Sequence, residues 1–219
     1  GHGGKDPGAV SKKKMREKDV TLQISRKLAA SLRQKAAADV YLTRNGDRFI
    51  GLEERNQVAN RRQCDLFLSV HANASRNAKA NGLEIYYLNK ASDQASARLA
   101  ARENEGAPKK EREIDAIVSD LIQTAATEDS AELAAKLQRS FQRRLQKKHK
   151  ISSIRVKTAL FYVLVGAKCP SLLIETGFIT NREEGRRLKT AAFQRDLADS
   201  IAEGVSTFLK TKDRVANDL

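Results

Sequence analysis

Two short apolar runs constrain the fold of this chain more than any other feature of its sequence. Residues 66–70 and 171–174 are apolar at nearly every position. Continuous runs of this length are typical of strands that are covered on both faces in a parallel sheet. Helical periodicity alternates with strand-like segments around them. The sequence therefore predicts an α/β fold with an open, mostly parallel sheet that is flanked by helices.

The remaining elements are predicted from periodicity and turn residues. Apolar residues recur every fourth position from 18 to 35, which indicates an amphipathic helix. Strand character returns at 39–43, 82–88 and 159–164, and Glu84 inside the second of these favours a strand near the edge of the sheet. Further helices are expected at 52–62, 92–105, 111–126, 130–148, 182–188 and 191–209.

Residues that can bind a metal stand at the ends of these elements. His71 follows the first apolar run and Glu175 follows the second. His2 lies in a glycine-rich turn, and Glu17 begins the first helix, where a carboxylate alone would be read as a helix cap. Ligands bind beyond the carboxyl ends of strands in open α/β sheets, so these side chains are expected at one edge. Two imidazoles and a carboxylate form a catalytic zinc set. The expected ligands are His2, Glu17 and His71, with Glu175 as the base.

Four motifs occur in order along the chain and together resemble a known family. They read GHGGKDPG at 1–8, EK at 17–18, SVHAN at 69–73 and ETGFITN at 175–181. In this combination the chain resembles the zinc-dependent N-acetylmuramoyl-L-alanine amidases of bacterial cell walls. The resemblance implies Zn²⁺ as the cofactor, peptidoglycan as the substrate and cleavage of the amide between N-acetylmuramic acid and L-alanine. Asn73 and Arg44 are expected to contact the substrate or to support the metal ligands.

The domain organisation follows from the same comparison of motifs. Residues 1–219 are expected to form a single catalytic domain, and a turn that carries a metal ligand needs a first strand leading into it, upstream of Gly1. Residues 90–153 are rich in alanine, glutamine and charge, and they are predicted to form a helical insertion between the late strands. A location in the periplasm or cell envelope, after secretion across the inner membrane, is implied by the resemblance.

The insertion is similar to that of the subgroup that splits daughter-cell walls during division. There, a helix covers the zinc, and its glutamate fills the open position until an activator displaces it. Arg102-Glu103-Asn104 matches that segment, so Glu103 is the candidate inhibitory ligand, with an ordinary surface glutamate as the alternative. The following residues, 106–110, depart from the subgroup pattern. An activator with a LytM-type domain is expected to act on 114–145.

Two other function classes are considered, and the first of them is suggested by the charge of the chain. The net charge is +14, and residues 133–157 contain nine Lys/Arg and no Asp/Glu. A basic nucleic-acid-binding protein would explain this run, but aromatic stacking residues are absent from it apart from Phe141, and the four candidate site residues would be unexplained. A catalytically silent peptidoglycan-binding module would not need all four. No nucleic-acid partner and no transmembrane segment are expected.

The two cysteines precede the two apolar runs by similar margins. Cys64 lies seven residues before His71, and Cys169 lies six before Glu175. If both strands are parallel, the two sulfurs lie at the same edge of the sheet, opposite the metal. Separate buried thiols are expected rather than a disulfide, because the sequence does not show whether the strands are neighbours.

Overall fold

One mixed sheet organises the computed structural model, which describes residues 1–105 and 125–217. Its strands are β1 (Phe67–Asn73), β2 (Leu83–Leu88), β3 (Ile154–Ala159) and β4 (Ser171–Phe178), in the spatial order β1-β4-β2-β3. β1 pairs with β4 and β2 with β3 in parallel, whereas β2 and β4 are antiparallel. The predicted α/β class with an open, mostly parallel sheet is confirmed.

Helices cover both faces of this sheet. The apolar side chains of β4 alternate between them: Leu172 and Ile174 join the larger cluster, and Leu173 joins the smaller one, as strand geometry requires. The helices are α1 (Glu17–Ala36), α2 (Leu52–Arg61), α3 (Gln94–Glu103), α4 (Ala125–Phe141), α5 (Arg182–Leu188) and α6 (Ala191–Asn217), with a π-helical turn, Gln142–Gln146, after α4. None of the helices in the described residues is long and apolar enough to cross a membrane.

Two of the predicted strands are wrong. Residues 39–43 form no strand and run along a cavity of about 520 Å³ between α1, α2 and β1. A strand needs a partner, and none of the described residues pairs with this segment. The strand predicted at 159–164 instead ends at Ala159, and the apolar residues after it enter the smaller cluster from turns. Burial of apolar residues alone does not distinguish a strand from a turn.

Glu84 does not place its strand near the sheet edge, contrary to the prediction. β2 lies between β4 and β3, and the Glu84 side chain is buried. Its Oε1 lies 3.0 Å from Nζ of Lys157, and its Oε2 accepts a hydrogen bond of 2.9 Å from the Tyr86 hydroxyl. An interior strand tolerates the carboxylate because these partners compensate for its lost hydration.

The described part of residues 90–153 contributes to the core. α3 and α4 both lie between β2 and β3 in the chain, and α4 packs on α6 and on the sheet. Almost all of the helix predicted at 111–126 lies outside the described residues. Residues 106–110, where the sequence departs from the subgroup pattern, lie entirely outside them. Fully buried apolar residues continue through α4 and the π-helical turn; they are Leu133, Ala134, Leu137, Phe141 and Leu145. The limits of a regulatory insertion stay a prediction.

The cysteines form a disulfide, so the expectation of separate thiols is wrong. Cys64 and Cys169 are bonded, with their Cα atoms 6.3 Å apart. Because β1 and β4 are parallel neighbours with Phe67 opposite Ser171, the residues just before the two strands lie side by side. Strand adjacency, which the sequence left open, decides the pairing.

We expect the paired substitution of Cys64→Ser and Cys169→Ser to lower the free energy of unfolding by about 2–4 kcal/mol. The bond joins residues 105 positions apart, so its loss enlarges the conformational entropy of the unfolded chain. Urea unfolding of both proteins without reductant measures the effect. Dithiothreitol should bring the parent to the value of the variant; equal stabilities without reductant would contradict the prediction.

Candidate metal centre and active site

The glycine-rich turn places His2. Its backbone φ is 55°, in the left-handed region, and a hydrogen bond of 2.9 Å from Gly3 N to the Asp6 carbonyl closes the turn. Gly8 also has a positive φ, 63°, and a Cβ there would lie 2.5 Å from Cδ2 of His2 and 2.7 Å from Oε2 of Glu17. Glycine is therefore required where the turn passes the two side chains.

Glu17 is fixed at the start of α1 by backbone donors from two other segments. Its Oε2 accepts a hydrogen bond of 2.8 Å from Ala9 N, and its Oε1 accepts one of 2.9 Å from Ala72 N. Burial alone would raise the pKa of this carboxyl, but the contacts with His2 and His71 outweigh burial and hold the pKa well below its ordinary value. Glu17 is therefore an oriented carboxylate.

Four side chains converge on one point. Nε2 of His2 lies 3.2 Å from Oε2 of Glu17, and Nδ1 of His71 lies 3.0 Å from Oε1 of Glu17. Oε2 of Glu103 lies 3.3 Å from the same His2 nitrogen and 3.1 Å from the same His71 nitrogen. One ligand atom from each residue lies within 4.8 Å of the others. The three ligands predicted from sequence are thus brought together, and Glu103 joins them.

These four residues fit a zinc ion. The buried His2 Nε2 and Glu103 Oε2 atoms have no hydrogen-bond partner among the described residues, as expected for atoms that bind a metal. Nδ1 of His2 lies 2.7 Å from Oδ2 of Asp6, the carboxylate support that metal-binding histidines usually have. Burial lowers the pKa of His2, but Asp6, Glu103 and Glu17 outweigh burial and raise it to about 11. These carboxylates therefore favour positive charge at the cluster, which a zinc ion would supply in place of the proton. Nitrogen and carboxylate oxygen are zinc ligands.

Glu175 lies beside this cluster on the neighbouring strand. It is opposite His71 in the parallel pairing of β1 and β4, and its side chain is fully buried. Neither carboxylate oxygen has a hydrogen-bond partner among the described residues. Burial, followed by the charges of Glu103 and Glu17, raises the pKa of Glu175 well above its ordinary value. A buried carboxyl with a raised pKa can accept and return a proton near neutral pH.

Arg44 supports the glycine-rich turn that carries His2. Its Nη2 donates hydrogen bonds of 2.9 Å to the Gly1 carbonyl and 2.7 Å to the Lys18 carbonyl, and the residue is 8% exposed. Gly1 N in turn donates to the Val70 carbonyl at 2.7 Å. Arg44 therefore holds the turn against α1, and these bonds occupy its guanidinium with backbone rather than leaving it free for substrate.

Asn73 connects the end of β1 to two charged residues. Its Nδ2 donates a hydrogen bond of 3.0 Å to Oε2 of Glu84, and its Oδ1 accepts one of 3.4 Å from Nη2 of Arg102. Sequence reasoning did not identify Glu84 as part of this region. The available signal was a charged residue within an apolar strand, which is costly without a buried partner. A substrate contact for Asn73 stays a prediction.

Known proteins resemble this chain over most of its length. Residues 1–207 match the family profile described as N-acetylmuramoyl-L-alanine amidase. The chain is 38% identical over 216 residues to the N-acetylmuramoyl-L-alanine amidase AmiC of Escherichia coli O6:H1, covering 95% of this chain and 51% of that protein. It is 37% identical over 217 residues to AmiA of Escherichia coli K12, covering 95% of this chain and 73% of that protein. The chain thus spans about half of the AmiC length.

Solved structures share the fold. The N-acetylmuramoyl-L-alanine amidase AmiC2 of Nostoc punctiforme superposes with a TM-score of 0.71 at 30% identity, covering 96% of this chain and 93% of that chain. An N-acetylmuramoyl-L-alanine amidase from Clostridium difficile 630 gives a TM-score of 0.74 at 31% identity, covering 97% and 94%. The similarity includes nearly the whole chain.

Proposed function

Because this chain belongs to the N-acetylmuramoyl-L-alanine amidase family, we propose that it hydrolyses the amide between N-acetylmuramic acid and L-alanine in peptidoglycan. The observation that supports the proposal most is the convergence of His2, Glu17 and His71 within a few ångströms, with Glu175 on the next strand. A binding module without turnover has no need of a buried, unpartnered carboxylate beside a metal-ligand cluster.

The chain's own residues supply the proton chemistry and the binding geometry. Zinc, held by His2, Glu17 and His71, supplies Lewis-acid polarisation of the scissile carbonyl when bound. Glu175 takes a proton from the attacking water and returns it to the leaving amine, which is the α-nitrogen of L-alanine. Asp6 and the backbone donors to Glu17 keep the ligands oriented.

The closed arrangement also supports autoinhibition by Glu103. This residue is 8% exposed and ends α3, so the helix delivers a carboxylate into the cluster. Burial alone would raise the pKa of Glu103, but the charge of His71 and contacts with both histidines hold the pKa well below its ordinary range. An ionised carboxylate at this point occupies the position that the substrate and the attacking water need.

The proposal includes regulation by a partner that acts on this closed state. We assign to the chain a role in daughter-cell separation, with release by an activator protein carrying a LytM-type domain. An activator that prefers the open form shifts the balance toward it. The described part of the expected contact segment, 114–145, buries its apolar side chains in the core, so the polar side of α4 is the part available for such contact.

The proposed location is the periplasm or cell envelope. Disulfides persist in oxidising compartments and are rare in the reducing cytosol. The Cys64–Cys169 bond therefore fits a secreted protein, and the substrate is found in the same compartment. The net charge of +14 favours association with anionic components of the envelope.

Analysis of the products tests the activity directly. The parent and Glu103→Ala, both loaded with zinc, are incubated with purified peptidoglycan, and Glu175→Gln serves as the inactive control. We expect free amino termini of L-alanine to appear and the glycan strands to keep their length, because only the lactyl amide is cleaved. New reducing sugar ends would identify a glycosidase instead. Binding without any new ends would identify a silent wall-binding module.

A further inference from the structure

Arg102 links the covering helix to the end of β1. Its Nη1 donates a hydrogen bond of 2.8 Å to the Ala74 carbonyl, and its Nη2 lies 3.4 Å from Oδ1 of Asn73. The same guanidinium contacts Oε1 of Glu103 through Nε, at 3.0 Å. The planar guanidinium therefore contacts the Glu103 carboxylate, the last residue of the strand that carries His71, and the residue that follows this strand.

The two acceptors are fixed independently of Arg102. Asn73 is 4% exposed, and its amide is oriented by donation to Oε2 of Glu84. Glu84 is itself held by Tyr86 and Lys157. Ala74 follows directly in the chain, and its N–H donates to Oδ1 of Asn73 at 2.7 Å. Both oxygens thus keep their position when a donor leaves.

Removal of α3 exposes both acceptors beside the metal cluster. Arg102 and Glu103 are neighbours on one helix, so a movement that clears Glu103 from the histidines also withdraws the guanidinium. Ala74 O then loses its 2.8 Å donor, and Asn73 Oδ1 keeps the 2.7 Å bond from Ala74 N but loses its second donor, so each oxygen has an open acceptor position close to His71. Acceptors in such a partly buried place are costly to leave unpaired, so they favour a ligand that carries N–H groups.

We propose that Asn73 Oδ1 and Ala74 O form a subsite for amide N–H groups of the substrate peptide, and that Arg102 occupies this subsite while α3 covers the site. The inference rests on the proposed function, because the substrate on that proposal is an N-acetylmuramoyl peptide, which has consecutive amide donors. Arg102 is then a competitor of the substrate as well as a support for Glu103.

α3 has other anchors, which makes Arg102 suitable for substitution. Asp93 caps the first turn by accepting from Ser96 N at 2.7 Å. At the other end, the Asn104 side chain donates to the Leu160 carbonyl at 2.8 Å and accepts from Tyr162 N at 2.9 Å. Arg102→Gln is therefore expected to leave the helix formed and to loosen only its contact with β1.

The first measurement needs neither substrate nor zinc. Hydrogen–deuterium exchange of residues 94–103 is compared in the parent, Arg102→Gln and Asn73→Ala, with Arg98→Gln as the matched control, since Arg98 is exposed on the same helix. We expect faster exchange in Arg102→Gln and Asn73→Ala and parent-like exchange in Arg98→Gln. Parent-like exchange in Arg102→Gln would overturn the role of Arg102.

The second measurement separates the subsite from simple loosening of the helix. Affinity for a soluble N-acetylmuramoyl pentapeptide is measured by calorimetry on the zinc-free proteins. We expect Arg102→Gln to bind about tenfold more tightly than the parent, as loss of a competing charged hydrogen bond predicts. Asn73→Ala also loosens α3, but it lacks the Oδ1 acceptor, so its affinity for the peptide should not rise. In the double variant, Arg102→Gln with Asn73→Ala, the affinity gained by Arg102→Gln should be lost.

The outcomes discriminate between the subsite and the activity. Equal affinity of Arg102→Gln and the parent, or a gain that survives in the double variant, overturns the subsite. Thermal melts of each protein, including the smaller change Asn73→Ser, check that folding is intact. If the parent releases L-alanine termini while these affinities do not differ, only the subsite fails. If no variant binds the peptide and none releases termini, the proposed function fails with it.

Discussion

Glu175→Gln is expected to keep its zinc and to lose turnover by about 100- to 10,000-fold, the usual contribution of a positioned acid–base group. Glutamine has nearly the same shape as glutamate, and both oxygens of Glu175 lie outside the set of atoms that converge on the histidines. The substitution removes the proton acceptor and leaves the ligands in place. Turnover should therefore fall while the zinc content stays at that of the parent.

Zinc content and kinetics on the same preparations check this expectation. Metal is quantified by mass spectrometry after dialysis, and turnover is followed by release of L-alanine termini. His2→Ala, Glu17→Gln and His71→Ala are the comparison set, and each should lose both metal and activity. Loss of zinc from Glu175→Gln would move that residue into the ligand set. Full activity of the same variant would exclude it as the base.

Glu103→Ala should raise basal activity by about 10- to 1,000-fold, because a minor open state commonly holds about 0.1–10% of a two-state population. Oε2 of Glu103 lies 3.3 Å from Nε2 of His2 and 3.1 Å from Nδ1 of His71. On the proposed autoinhibition, the carboxylate there blocks access of the substrate and the attacking water. Deleting it removes the blocking group and the charge that Arg102 contacts. The open form should then predominate without an activator.

The comparison is made at matched zinc content and without any partner protein. Glu105→Ala is the control, since this carboxylate follows α3 but is exposed. Glu103→Gln keeps the side-chain volume and separates loss of the charge from loss of packing. Equal rates for Glu103→Ala and the parent would return Glu103 to a structural role. A rise in Glu105→Ala of the same size would indicate general loosening of the helix.

Much of the site could be predicted because its residues stand at element ends that local patterns mark. His71 and Glu175 close the apolar runs, and strand geometry places both at the same edge. The glycines around His2 indicate close backbone approach, which Gly8 confirms with its contacts to His2 and Glu17. Arg44 and Asn73 were identified from position, but only their hydrogen bonds show what they contact.

Other features depend on which segments become neighbours, and local sequence carries little information about that. Residues 39–43 have strand composition but form no strand, because pairing requires a partner beside them. Glu84 interrupts an apolar run and yet lies inside the sheet, since Lys157, on the neighbouring strand β3, comes from a position that only the fold brings close. The disulfide has the same origin, because it requires β1 and β4 to be adjacent.

The sequence by itself determined the α/β class. Residue type and position at the ends of elements made His2, Glu17, His71 and Glu175 candidate site residues, and the resemblance of its segment made Glu103 a candidate. The tertiary structure alone decided the strand order, the Cys64–Cys169 bond and the contacts of Arg102 with the end of β1. These features join residues far apart in the chain. Their free energy depends on packing and desolvation of several segments at once, which no local pattern records.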